Sequence, residues 1–146
     1  MKPKSQMETV KTWLREELSR YLAILNKLEE QRKAVDGDDE ARLLAVIQEK
    51  SSLMAGIEKL ERKIAGARKS FSAEEQKNLA LQAGPLTAQI EDVLKKIIAL
   101  EDACAEEIKK KQLKIQERML QVKQGKTGLK GYGDRGKNKS WFSNNA

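Results

Sequence analysis

The chain has 146 residues, a net charge of +7 from 29 Lys and Arg against 22 Asp and Glu, and only 4% aromatics. It has no histidine, which removes the commonest general base and the commonest metal ligand together, and its single cysteine, Cys104, excludes an intrachain disulfide. No apolar run approaches the roughly 20 residues that a membrane-crossing helix needs, and the opening MKPKSQMETVKTWLREEL carries charge but no apolar leader core.

What remains is rich in Leu, Ile, Ala, Glu, Lys and Gln, the composition of long amphipathic helices. From Met7 onward, Met7, Leu14, Tyr21, Leu28 and Val35 recur every seven residues, and Val10, Leu18, Ile24 and Leu25 widen the stripe. This spacing predicts a first helix over about residues 5–35. Asp36-Gly37-Asp38-Asp39 should end it, with Gly37 in the left-handed position and Asp38 or Asp39 capping the next helix.

The second helix has a seam of Leu43, Val46, Lys50, Leu53, Ile57, Leu60, Ile64 and Ala67, whose alternating steps of three and four are those of a coiled coil. Lys50 is its one charge. Its stem is expected to lie along the seam with the amine in water, the other reading being a buried charge that fixes register. The short connection makes the first two helices antiparallel neighbours.

Ser72 and Glu75 fit a capping box, and Phe71 is placed to staple the helix start. A short helix is expected to about Ala83, then a break or kink at Gly84-Pro85. A long helix resumes from Leu86 along Ile90, Val93, Ile97, Leu100, Cys104, Ile108, Gln112, Ile115, Met119 and Val122, with a stutter around Cys104. It is too long for the hairpin to cover, so the part over about Ile108–Val122 is expected to project with its apolar seam open. Cys104 reads as a small buried apolar residue, and Lys109-Lys110-Lys111 as a solvated face.

Helical periodicity ends at Gln124. Residues 123–146 hold six bases against Asp134 alone, so the body is nearly neutral and the tail basic. The tail is glycine-rich and is expected to be disordered, yet it carries Tyr132, Trp141 and Phe142, half the aromatics of the chain. Three readings stay open: these rings fold back on the bundle, stack on single-stranded nucleic acid, or anchor a protein partner. Gly125-Lys126-Thr127 lacks the upstream glycine and strand of a phosphate-binding loop. No pair of carboxylates stands in an apolar setting that would shift a pKa, so neither an enzyme nor a cofactor is expected.

The expected architecture is therefore all-α: an elongated antiparallel hairpin plus a long third helix, a three- to four-helix bundle over residues 1–123, followed by a flexible tail over 124–146. Residues 28–60, LEEQRKAVDGDDEARLLAVIQEKSSLMAGIEKL, with Gly37-Asp38 and Glu49-Lys50-x-x-Leu53, resemble the FlgN family of flagellar export chaperones. The long last helix followed by Gly125-Lys126 and Tyr132-Gly133 is similar too. FliT-type chaperones of the filament cap protein share that last helix and a tyrosine near its end. The resemblance implies a cytoplasmic, non-enzymatic protein, monomeric or dimeric. It would bind the amphipathic terminal helices of FlgK- and FlgL-like hook–filament junction proteins and deliver them to an FlhA-like export gate protein. Ile108, Gln112, Ile115, Met119 and Val122 would then form the client seam. Tyr132, by its resemblance to the family's C-terminal tyrosine, would act with Trp141 and Phe142 as a second partner contact. The alternative from another class is a coiled coil that binds nucleic acid through the basic tail.

Overall fold

The computed structural model describes residues 3–125, and the side chains of 6–124. Three helices account for almost all of it: α1 (Pro3–Asp36), α2 (Glu40–Arg68) and α3 (Ala73–Gly125). The chain is all-α. The tail, with Tyr132, Trp141 and Phe142, lies outside the described residues.

The first turn is closed by backbone chemistry. Asp39 N–H donates to the carbonyl of Ala34 (2.8 Å) and Asp38 N–H to that of Val35 (3.2 Å), the paired bonds of a Schellman ending. The left-handed residue is Asp38 (φ 54°) and not Gly37 as expected. A short polar side chain tolerates that conformation better than most. Asp39 then caps α2, its Oδ1 accepting from Arg42 N–H at 3.0 Å. At the second turn the capping box forms in both directions: Glu75 N–H donates to Ser72 Oγ (3.1 Å) and Ser72 N–H to Glu75 Oε1 (2.8 Å). Phe71 is buried beside Met7, Val10, Ile64, Leu79 and Ala83.

The break that Gly84-Pro85 could have made does not occur: α3 runs through both residues as one helix. Pro85 lacks an N–H, so the Leu81 carbonyl loses its usual donor. Leu81 and Pro85 are both exposed, and on that face water can take the donor's place. At 1.5 Å per residue, α3 is about 80 Å long, against about 51 Å for α1 and about 44 Å for α2.

α1 is the central element and packs along both other helices, whereas the α2 and α3 backbones stay apart. The core forms three clusters along the long axis. One joins Met7, Val10, Ile64, Phe71, Leu79 and Ala83. The next joins Tyr21, Ile24, Leu28, Ile57, Ile90 and Val93. The last, at the hairpin turn, joins Ala34, Val35 and Leu43, with Ile108 and Ile115 packed against it. Every member of the α2 seam is buried or half-buried. Near the turn, Lys27 bridges Glu30 (3.0 Å) and Glu49 (2.6 Å), and Arg42 reaches Glu30 as well. Those contacts draw Glu30 below the usual carboxylate range and push Lys27 up.

Candidate functional site

Whether α3 offers an open seam depends on where the hairpin stops covering it. That point lies later than length alone predicts. Ile108 and Ile115 are half-buried against Val35 and Leu43. Lys111 fixes the register there: its Nζ donates to Asp36 O (3.2 Å) and pairs with Asp38 Oδ1 (2.6 Å), and it also reaches Val35 O. A cation at the last carbonyls of α1 is favoured by the helix dipole. Lys111 therefore does not belong to the solvated face assigned to Lys109-Lys110-Lys111, although Lys109 and Lys110 are exposed.

Past Ile115 the hairpin ends, and about ten residues of α3, roughly 15 Å, continue beyond it. Met119 is 41% exposed and Leu120 57%, while Val122 is half-buried. Of the five predicted seam residues, Met119 and Val122 lie on this overhang. Ile108 and Ile115 serve the bundle, and Gln112 is half-buried between them.

Further apolar side chains are exposed elsewhere on the bundle. Leu44, Ile47 and Met54 on α2, and Ile98 (59% exposed) on α3, stand open to solvent. Each follows directly on a seam residue, in the pairs Leu43-Leu44, Val46-Ile47, Leu53-Met54 and Ile97-Ile98. A neighbour in sequence lies about 100° round the helix, so these doublets widen the buried stripe into an exposed one. The signal was present in the sequence, but a strict three-four seam passes over it.

Between α2 and α3, Lys50 is only 13% exposed in its side chain, and its Nζ meets Glu101 Oε1 at 2.6 Å. The amine ends on the neighbouring helix and not in water. Cys104 is buried, and burial pushes its thiol up, so it is not poised as a nucleophile. It lines a shallow cavity of about 220 Å³ with Arg32, Val35, Asp36 and Glu107.

One carboxylate pair contradicts the expectation that none stands in an apolar setting. Glu17 on α1 is 7% exposed, and burial, with Glu61 of α2 beside it, raises it to about 7. The Tyr21 hydroxyl donates to Glu61 Oε1 at 3.3 Å. Burial and the two carboxylates hold the phenol proton on, raising Tyr21 to about 12.

Among the described residues, no helix is long and apolar enough to cross a membrane. Comparison with family models finds no match, and neither the curated proteins nor the solved structures yield a significant one.

Proposed function

We propose that the protein is a helix-binding chaperone of the flagellar export type. Its clients would be the amphipathic terminal helices of FlgK- and FlgL-like junction proteins. A client helix of this kind is apolar on one face and aggregates when that face is bare. The observation that carries the reading is the end of α3, which outruns the hairpin and leaves Met119 and Leu120 uncovered. A helix laid on such a surface is held by side chains at i, i+3, i+4 and i+7 spacing. Exposed Leu44, Ile47 and Met54 on α2 and Ile98 on α3 add apolar surface on the bundle. A specific complex buries about 1,000 Å² or more, and the overhang is where a client helix would begin to bury it.

The test is co-purification and titration with a FlgK- or FlgL-like C-terminal helix. Met119→Glu with Val122→Glu should weaken binding at least about tenfold, the factor that about 1.4 kcal/mol confers, and leave the melting temperature unchanged. Ile115 is the wrong residue to change, because it also packs against the hairpin turn. Client binding that survives both substitutions would remove the overhang from the site.

A further inference from the structure

The α1 seam places Val10, Glu17, Ile24 and Gln31 seven residues apart, and Glu17 occupies the gap between two core clusters. On one side lie Met7, Val10, Ile64 and Phe71; on the other lie Tyr21, Ile24, Leu28 and Ile57. Glu61 of α2 stands at this level: its Oε1 accepts from the Tyr21 hydroxyl at 3.3 Å, one helical turn along α1 from Glu17, and it acts on the Glu17 carboxyl. Two carboxylates can share a hydrogen bond only while one of them keeps its proton. Glu61 is exposed, so solvent protons have a route to the pair.

We propose that Glu17 and Glu61 form a proton-operated latch between α1 and α2, which closes the bundle end carrying Met7, Ile64 and Phe71 when protonated and loosens it when the proton leaves. It is a device of the fold and stands independently of any client.

The surroundings restrict what else can titrate at this level. From α1, Tyr21 faces the pair and keeps its proton well beyond neutrality. Arg20, one turn along, turns its guanidinium over Gly56 of α2, and no pull from it offsets the rise in Glu17. From α2, Glu61 is the acid that acts on Glu17. α3 packs on the two flanking clusters with Leu79, Ala83, Ile90 and Val93, all apolar. The sign follows from a folded-state value above the ordinary one. Between the usual 4.5 and about 7, the folded protein holds a proton that the unfolded chain has lost. The latch's contribution is therefore complete at acid pH, declines through this window as pH rises, and is gone above it.

Hydrogen exchange on the full chain, corrected for intrinsic rates, reads the opening directly. From about pH 6 to pH 8, the opening constant for peptides covering residues 7–14 and 60–71 should rise about tenfold, while that for residues 34–43 stays level. Glu17→Gln keeps a hydrogen-bonding side chain without the titration, and should abolish the rise. Glu61→Gln removes the second carboxylate but leaves Glu17 buried, so it should reduce the rise without abolishing it, and it serves if the first variant does not fold. Equal change in both regions, no change in either, a rise that persists in Glu17→Gln, or an undiminished rise in Glu61→Gln would overturn the latch.

Discussion

Pro85 sits inside α3 with an exposed ring, twelve residues past the start of a 53-residue helix. A proline in a helix interior is about 3 kcal/mol less favourable than alanine. Proline also restricts the unfolded chain, and losing that restriction on substitution returns roughly 0.5–1 kcal/mol to the unfolded side. Pro85→Ala should therefore stabilise the protein by about 2 kcal/mol. For a chain of this length, that corresponds to a rise in melting temperature of about 6–10 °C. Urea unfolding followed by circular dichroism should show a higher midpoint at unchanged slope, since the surface exposed on unfolding stays the same. Gly84→Ala should add about 0.5–1 kcal/mol, because its new Cβ would meet nothing within 4 Å. An unchanged or lowered midpoint for Pro85→Ala would refute the reasoning. It would mean that a bend at Pro85 is required to seat Ala83 and Ile90 in their two clusters.

Three further outcomes are expected from the same unfolding measurement. Gln31 is buried and its Oε1 has no hydrogen-bond partner, so Gln31→Leu should stabilise by about 1–2 kcal/mol, and a loss would show that the amide has an unseen role. Ser72→Ala removes one arm of the capping box and should cost about 1 kcal/mol; a neutral result would place the start of α3 elsewhere. Lys50→Met should be neutral or mildly stabilising, because an apolar side chain of similar length takes the place of the covered Lys50 stem, while Glu101, 47% exposed, keeps its hydration. A loss of several kcal/mol would show Lys50 to be essential to how α2 and α3 align.

Much of the fold could be read directly from spacing. The three-four seam of α2 turned inward at every position, and Asp39, Ser72 and Glu75 capped as their chemistry suggests. The failures have separate causes. Intrinsic preference points to Gly37 for the left-handed position, whereas the hydrogen bonds of the turn select Asp38. Local propensity favours a break or kink at Gly84-Pro85, whereas packing of Ala83 and Ile90 on either side carries the helix through. Glu17 and Gln31 lay in plain sight at seven-residue spacing from Val10 and Ile24, but hydrophobic pattern reading skips polar members of a seam. The open end of α3 was placed too early because one lysine, Lys111, ties it to the hairpin turn, and nothing in periodicity reports a tertiary contact of that kind.

That lysine has a mechanical consequence. α3 runs parallel to α1 and projects past the bend joining α1 to α2, so its free end behaves as a short cantilever. Ile115, packed on the hairpin turn, and the ammonium of Lys111 one turn behind it, gripping Asp38 and the final carbonyls of α1, together form the fulcrum. Any cargo tugging sideways on the tip delivers its torque to that joint first, well before the distant end of the bundle feels it. Substituting Lys111 by an uncharged residue would soften the mounting and leave Ile115 to carry the load.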